Sequence, residues 1–196
     1  MELLVFGASG PIGRRVCEYA HSDGHAVTAF GDVEVPPGDV AVRGGDVRDP
    51  EAVGAAVEGV DAVCSALVPE GGLVEGTRTI VDAMVDRGVD RIVSVSAAAI
   101  LQATPTRLRV ETTLAASDDD AAAHRAVHET LEASPLDWTL ACPPRVADGP
   151  PRNHYRTAVD YLPDGGQSIS AGDVAGFVYE ALVDGGYHRE RVGIAY

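Results

Sequence analysis

The sequence contains no lysine: its 15 basic side chains are all arginine, and they face 30 acidic residues, for a formal net charge of -15. Without lysine the chain cannot form a Walker A phosphate loop or a Schiff-base nucleophile. It also lacks the Tyr-x-x-x-Lys pair with which typical short-chain dehydrogenases protonate a carbonyl. The acidic surface favours a salt-rich, halophile-type environment, where screening weakens repulsion between like charges. The charge balance argues against nucleic acid or an anionic membrane as a partner, so we expect a small molecule.

Cysteine and long apolar runs are also scarce. The three cysteines, Cys17, Cys64 and Cys142, lie far apart without a CxxC pair, which argues against a disulfide framework and a zinc site. No apolar stretch approaches the roughly 18 residues that a membrane span needs, and the N-terminus shows no basic leader. We therefore expect a soluble, cytoplasmic protein with buried, reduced thiols, folded as one domain over residues 1–196.

Short apolar runs rich in β-branched residues alternate with segments of helical period, a pattern typical of a parallel sheet covered on both faces. We predict an α/β fold with a Rossmann-type, doubly wound, mainly parallel sheet in three αβα layers. The predicted strands cover 2–6, 26–30, 39–43, 60–65, 91–95 and 136–141, and the predicted helices cover 11–22, 50–57, 73–87, 118–133 and 170–184. Residues 143–151 are rich in proline and are predicted to lack regular structure. An edge strand is predicted within 155–162 and a closing strand at 191–196.

The segment GASGPIG, residues 7–13, lies directly behind the first predicted strand and opens the first predicted helix. With the second strand it completes a βαβ unit, the context in which a glycine triplet indicates a dinucleotide site. A side chain at Gly7 or Gly10 would block the approach of a pyrophosphate to the helix N-terminus, whereas Gly13 lets the helix close on the sheet. Ser9 and Ile12 complete the predicted binding loop, with the Ser9 hydroxyl as an additional phosphate contact. The alternative is a tight turn without a ligand.

The glycine spacing in this loop resembles that of the atypical short-chain dehydrogenase/reductases. Three further segments are similar in order and spacing to the biliverdin reductase B, or flavin reductase, family and to NmrA-like proteins: GDVRDPEAVGAAVEGVDAVCSAL, IVDAMVDRGVDRIVSVSA and HETLEASPLDWTLACPPRV. The resemblance covers nearly the full length. It implies a Rossmann fold that binds NAD or NADP, with either a reductase activity or a redox-sensing role that involves no reaction.

The resemblance also implies roles for individual residues. Asp46 and Val47 would flank the adenine, Ala66 and Leu67 would line the path to the nicotinamide, Ser96 would place a hydroxyl close to that ring, and Pro143 and Pro144 would begin the loop that covers it. Asp46 could instead be a turn residue at a strand end, and Ser96 could be a helix cap.

One departure from the family concerns the cofactor. NADP-using relatives tend to carry an arginine at the end of the second strand, where this sequence has Gly31 and Asp32. A carboxylate there accepts hydrogen bonds from a ribose 2′-hydroxyl and repels a phosphate, which favours NAD over NADP. Alternatively, Arg14, Arg15 or Arg43 supplies the positive charge for NADP from elsewhere. A further alternative is that Asp32 is only a solvated loop acid.

A second departure is Arg145, which follows two prolines where the family has Pro-Pro-His. Arginine cannot donate a proton near neutral pH, but it can bind a carboxylate or phosphate of a substrate. We therefore predict Arg145 as a substrate-binding residue. Alternatively, it pairs with one of the many acidic residues.

Histidine is the side chain best suited to protonate a reduced product near neutral pH. His124 and His128 are four residues apart, so they share one helix face, which the resemblance places beside the mouth of the site. Either could instead be a partly exposed helix residue. His154 and Tyr155 are further candidates that could equally be loop surface. No third ligand accompanies the two histidines, so we predict no metal site.

These observations predict an NAD(P)H-dependent reductase that transfers hydride to a flavin, a quinone or a similar conjugated acceptor, whose proton can come from solvent. The alternative is a non-catalytic, NmrA-like regulator that binds NAD(P) and senses redox state. Sugar-nucleotide epimerisation is disfavoured because the enzymes that perform it usually keep Tyr-x-x-x-Lys and a larger substrate domain. The oligomeric state stays open.

Overall fold

The structure, a computed structural model, describes residues 1–33, 39–104, 107–108 and 118–196. Its strands are β1 (Glu2–Phe6), β2 (Ala26–Phe30), β3 (Ala41–Arg43), β4 (Ala62–Ser65), β5 (Arg91–Val95), β6 (Gln102–Thr104), β7 (Arg107–Leu108), β8 (Asp137–Cys142), β9 (Arg145–Ala147), β10 (Arg156–Val159), β11 (Ser168–Ser170) and β12 (Glu190–Ala195). Its helices are α1 (Pro11–Ser22), α2 (Pro50–Val57), α3 (Leu73–Arg87), α4 (Asp118–Ala133) and α5 (Ala171–Glu180), and a π-helical turn over Ala181–Gly185 continues α5.

Eight of the strands form one sheet in the order β10-β12-β8-β5-β4-β1-β2-β3. All neighbours in this sheet are parallel except β10, which pairs antiparallel with β12 at the edge. The predicted mainly parallel, doubly wound sheet is confirmed. The strand order reverses at β1, which pairs with β2 on one side and β4 on the other. In sheets of this kind, ligands bind beyond the carboxyl ends of the strands at that reversal.

Hydrophobic side chains fill a layer on each face of the sheet. Leu4 and Phe6 of β1 face the layer that α2, α3 and α4 cover, whereas Leu3 and Val5 face the layer that α1 and α5 cover. Successive strand residues point to opposite faces, so a strand covered on both faces is apolar throughout. This explains why the strands appear in the sequence as short apolar runs and not as alternating patterns.

Local signals set the helix ends. Asp49 caps α2 by accepting hydrogen bonds from two first-turn amides, and α3 ends at Gly88, whose φ of +69° is left-handed. The predicted capping box at the start of α5 is present: the Ser170 hydroxyl accepts from the amide of Asp173 at 3.1 Å and donates to its carboxylate at 2.8 Å. Caps of this kind satisfy amides that have no partner within the helix.

The prediction of irregular structure throughout 143–151 is wrong for Arg145–Ala147, which form β9 and pair in parallel with β11. Proline removes the amide at its own position and restricts the residue before it, so a proline-free stretch can still pair. The strands predicted at 39–43, 60–65 and 136–141 differ from β3, β4 and β8 by one or two residues at their ends. The edge strand predicted within 155–162 is β10. The closing strand is β12, which lies between β8 and β10.

Cys17, Cys64 and Cys142 are buried and unpaired, as predicted. Burial raises the pKa of all three thiols, to about 12 for Cys17, because it disfavours the charged thiolate. Among the described residues, no helix combines the length and the apolar character that crossing a membrane requires.

Gly193 in β12 lies so close to the chain that follows β10 that an added Cβ would overlap the carbonyl oxygen of Tyr161. We expect Gly193→Ala to lower the free energy of unfolding by about 1–3 kcal/mol, because backbone atoms must move to admit the methyl group. Gly176→Ala is the matched control, since a Cβ inside α5 at Gly176 has open space and should gain about 0.5–1 kcal/mol of helix propensity. Denaturant titration in high salt measures both, and equal shifts would contradict the expectation.

Candidate functional site

A cavity of about 520 Å³ lies beyond the carboxyl ends of β1, β2 and β4, where the strand order reverses. Eight residues predicted to bind the cofactor line it: Gly7, Ser9, Gly10, Asp32, Asp46, Val47, Ala66 and Leu67. Ile12 and Gly13 lie in the first turn of α1, behind the loop. Phe6 and Phe30, which end β1 and β2, also line the cavity, with ring centroids 4.9 Å apart. Sequence reasoning missed these two aromatic residues, although each directly precedes a glycine at a strand end.

The three glycines of the loop differ in how much room the protein leaves for a Cβ atom. Gly7 has a φ of +76°, and an added Cβ would overlap the carbonyl oxygen of Ala66. A Cβ on Gly13 would overlap the carbonyl oxygen of Gly7. At Gly10, φ is an ordinary −80° and a Cβ would come no closer than 3.4 Å to the protein. Packing therefore explains Gly7, which the sequence attributed to the ligand, and leaves Gly10 as the glycine that a ligand would explain.

The N-terminus of α1 opens onto the cavity at Gly10. No side chain caps the first amides of this helix, and its first turn carries no acidic residue. The exposed hydroxyl of Ser9 lies beside it. Unpaired amides at the positive end of a helix bind anions, and a pyrophosphate suits this arrangement.

Two carboxylates also line the cavity. Asp32 is exposed and follows β2. Asp46 is paired with Arg48, whose Nη2 lies 2.6 Å from Oδ2 and whose Nε lies 2.9 Å from Oδ1. The hydrogen bonds from Arg48 lower the pKa of Asp46 to about 2. The pairing of Arg48 with Asp46 was not predicted, because neither helical nor strand periodicity indicates a contact between residues two apart in a loop.

The three arginines considered as alternative phosphate ligands point elsewhere. Arg14 pairs with Glu18 at 3.2 Å, Arg15 donates to a carbonyl of its own helix, and Arg43 donates to a carbonyl of α2. None of the three lines the cavity, whereas Asp32 does.

Ser96 and His124 meet beyond the carboxyl end of β5, with Ser96 Oγ 3.2 Å from Nδ1 of His124. Ser96 is 5% exposed, and its amide donates to Ala141 of β8 at 2.8 Å. Two residues later, the amide of Ala98 donates to the carbonyl of Pro143 at 2.8 Å, which fixes the predicted covering loop to the same strand ends. Burial lowers the pKa of His124, so the neutral imidazole prevails near pH 7. When Nδ1 carries no proton, it accepts a hydrogen bond from the Ser96 hydroxyl. When Nδ1 is protonated, it donates a hydrogen bond to Ser96 Oγ.

The structure does not bring His128 to Ser96. Its ring packs edge-on against Trp138 with centroids 5.5 Å apart, and Trp138 pairs with Ile92, four residues before Ser96. Burial lowers the pKa of His128, and nearby Arg191 lowers it further.

His154 and Tyr155 lie on the opposite face of the sheet, beside α5. His154 stacks on Tyr196 with centroids 5.2 Å apart, and the hydroxyl of Tyr155 donates to Glu180. Tyr155 also lines a second cavity, of about 660 Å³, between α1 and α5. No predicted cofactor-binding residue lines that cavity.

Arg145 begins β9, directly behind Pro143 and Pro144. Its side chain is exposed and forms no hydrogen bond or ion pair with any described residue. The alternative that it pairs with an acidic side chain is not realised there. Across the ranges that the structure describes, no three His, Cys, Asp or Glu side chains gather in a way that could hold a metal ion.

Residues 7–185 match the model of a family described as NAD(P)H-binding. The chain belongs to the NAD(P)H-binding family. A nicotinamide dinucleotide is the cofactor of that family, and the bare Gly10 and the uncapped start of α1 fit its pyrophosphate.

Solved structures share the fold over the whole chain. A candidate exported protein from Burkholderia pseudomallei is 30% identical, with 100% of both chains covered and a TM-score of 0.87. A candidate NADH-flavin reductase from Streptococcus pneumoniae is 23% identical, covering 100% of this chain and 99% of that one, with a TM-score of 0.83. An anaerobilin reductase from Escherichia coli O157:H7 is 20% identical, covering 100% and 97%, with a TM-score of 0.82. The predicted resemblance is confirmed at the level of the NAD(P)H-binding family and of the fold that these proteins share.

We expect Gly10→Ala to weaken NADH and NADPH binding about tenfold, or about 1.4 kcal/mol, because the methyl group would occupy space beside the pyrophosphate. The melting temperature should stay unchanged, since the protein itself leaves room for this Cβ. Calorimetric titration measures the affinities, with Gly176→Ala as the control. Wild-type affinity in Gly10→Ala would show that Gly10 does not face the cofactor.

Proposed function

We propose that this protein is an NAD(P)H-dependent reductase that transfers hydride to a flavin, a quinone or a similar conjugated acceptor. The observation that carries the proposal is the hydrogen bond between Ser96 and His124 beside the covering loop, at the carboxyl edge that also bears the dinucleotide cavity. It joins a hydroxyl and a titratable base at a strand end, where sheets of this type hold their reacting groups. The names of the two reductases from S. pneumoniae and E. coli agree with the proposal.

A bound nicotinamide would supply the hydride. Ala66 and Leu67, which line the cavity, would border its path, and Pro143 and Pro144 would cover the ring and exclude water. Ser96 Oγ donates a hydrogen bond to the acceptor atom that gains electron density, and it gives up its proton as the hydride arrives. Protonated His124 then returns a proton to Ser96 through Nδ1. An acceptor whose reduced form takes its proton from solvent needs only the orienting hydrogen bond of Ser96.

Arg145 binds an anionic group of the acceptor in this proposal. What supports the role is a guanidinium that stays exposed and unpaired among the described residues of a chain with twice as many acids as bases. Guanidinium groups bind carboxylates and phosphates in a bidentate geometry. His128, which packs against Trp138, has a structural role in the proposal.

The proposed cofactor is NAD, with Asp32 as the acceptor of hydrogen bonds from the ribose 2′-hydroxyl. What supports this choice is that Asp32 lines the cavity and that Arg14, Arg15 and Arg43 all point elsewhere. The proposed setting is a salt-rich cytoplasm, in keeping with the net charge of -15.

A turnover assay in high salt tests the proposal. The purified protein is mixed with NADH or NADPH and with riboflavin, FMN or a quinone, and oxidation of the nicotinamide is followed by absorbance. Turnover of one of these acceptors is expected, with a lower KM for FMN than for riboflavin because only FMN offers Arg145 a phosphate. Tight cofactor binding without turnover of any acceptor would instead support the NmrA-like redox sensor.

We expect Asp32→Arg to reverse the cofactor preference, because the change removes a hydrogen-bond acceptor for the 2′-hydroxyl and introduces a partner for the 2′-phosphate. The ratio of NADH to NADPH affinity should fall about a hundredfold, or about 2.7 kcal/mol. Titration of both cofactors against the wild type and the variant measures the ratio. Asp39→Arg, which adds the same charge at an exposed position before β3, is the control. Tighter NADPH binding by the wild type would contradict the role of Asp32.

The lowered pKa of His124 predicts a pH profile. Because this pKa lies below the ordinary value of 6.5, His124 becomes protonated only as the pH falls below that value. The rate of reduction of an acceptor that must be protonated should therefore rise on acidification and level off once His124 is protonated. The stability contributed by neutral His124 is lost over the same window, as the pH falls through the folded-state pKa.

We expect His124→Gln to flatten the acid limb of the kcat profile. His188→Gln is the control, because His188 hydrogen-bonds to Asp137 at the amino end of β8, whereas His124 lies beyond the carboxyl ends of the strands. Measurement of kcat from pH 5 to 8, with the folded fraction checked at each pH, separates catalysis from unfolding. An unchanged profile in His124→Gln would remove His124 from proton delivery.

A further inference from the structure

Residues 148–155 follow β9, contain no helix or strand, and pass beside α5. Pro143 is fixed by the amide of Ala98, and Arg145 lies opposite Ser168 in the pairing of β9 with β11. Residues 148–155 then cross to the face of the sheet that α5 covers. What holds residues 148–155 therefore bears on the position of Arg145, in the strand directly before them.

The buried carboxylate of Asp173 binds residues 148–155 through two of their backbone amides. Asp173 is 1% exposed and accepts hydrogen bonds from the amides of Arg152, at 2.9 and 3.0 Å, and Asn153, at 2.8 Å. Asn153 has a φ of +58°, a left-handed conformation that is uncommon outside glycine. It brings two successive amides onto one anion, as in the backbone nests that bind anions in other proteins. Burial alone would raise the pKa of Asp173, but these hydrogen bonds and the one from Tyr196 outweigh it and lower the pKa.

Tyr196 closes the same cluster from the side. Its hydroxyl donates to Oδ2 of Asp173 at 2.5 Å and accepts from the amide of Ser170 at 3.0 Å. Its ring contacts the two residues that flank Asn153: the Arg152 guanidinium lies 4.6 Å from the ring centroid, and His154 stacks on the ring with an interplanar angle of 17°. Tyr196 thus contacts both the anchoring carboxylate and the segment that it anchors.

The first turn of α5 fits directly against this segment. The amide of Gly172 donates to the carbonyl of Gly149 at 3.1 Å, and a Cβ on Gly172 would overlap the backbone nitrogen of Pro151. None of Tyr196, Asp173 or Gly172 lines the 520 Å³ cofactor cavity. The cluster is therefore connected through the chain to the covering loop and is separate from the pyrophosphate loop.

We propose that Tyr196 and Asp173 are positioning residues for the acceptor side of the site: they hold residues 148–155 and, through them, set the position of Arg145. This inference rests on the proposed reductase function. Loss of these hydrogen bonds should weaken binding of the acceptor more than binding of the cofactor. The cofactor loop is held separately, by the close backbone contacts at Gly7 and Gly13.

Tyr196→Phe tests the proposal, because it removes the hydroxyl and keeps the ring between Arg152 and His154. We expect the acceptor KM to rise about tenfold, with kcat and the NADH dissociation constant within about twofold of wild type. Hydrogen exchange at the amides of Arg152 and Asn153 should become faster, because both donate to the carboxylate that Tyr196 holds. Asp173→Asn should produce the same changes to a larger extent.

Tyr179→Phe is the matched control, since its hydroxyl donates to Asp23 at 2.6 Å on the same face of the protein and not to Asp173 or to residues 148–155. Unchanged KM and unchanged exchange in Tyr196→Phe would overturn the proposal. A parallel loss of melting temperature, cofactor affinity and acceptor affinity would also overturn it, since it would show a general structural role. If wild-type protein reduces no acceptor, the reductase function fails, whereas the exchange of Arg152 and Asn153 still decides whether Tyr196 anchors the segment.

Discussion

The close approach of three backbone segments at Gly7 is the constraint on which the rest of the site depends. The end of β4 presses on Gly7 from one side, and the first turn of α1 presses on its carbonyl from the other through Gly13. Neither contact tolerates a side chain, so the start of α1 lies at a fixed distance from the strand ends. The open amides of that helix and the cavity beside it both follow from this one contact.

The chain uses its few positive charges mainly on its own structure. Arg191 pairs with Asp160, Arg91 donates to carbonyls near the end of α5, and Arg48 neutralises Asp46 at the rim of the cavity. The glycine loop instead offers the uncapped backbone amides of α1, which carry partial positive charge at any pH. A protein with so acidic a surface can thus bind a doubly charged pyrophosphate without a basic side chain in the loop.

The helices and strands could be predicted from local sequence signals, whereas contacts between residues distant in the sequence could not. Asp49, Gly88 and the capping box at Ser170 are read within four residues, and the bounds of the helices that they delimit were predicted closely. The glycine loop was recognised for the same reason. The contact between Ser96 and His124 joins residues 28 apart in the sequence, and the pairing of β9 with β11 depends on where α5 begins. No periodicity encodes such distances, so the loop around β9 and the separation of His128 from Ser96 became visible only in three dimensions.

The depth of the three thiols has a consequence for the chemistry of the acceptor. Quinones and other electron-poor conjugated molecules alkylate or oxidise thiolates that they can reach. Cys17, Cys64 and Cys142 are all fully shielded and remain protonated because their pKa values are raised. The folded protein therefore presents no reactive thiol, so an electrophilic acceptor of the proposed kind would not modify it at cysteine.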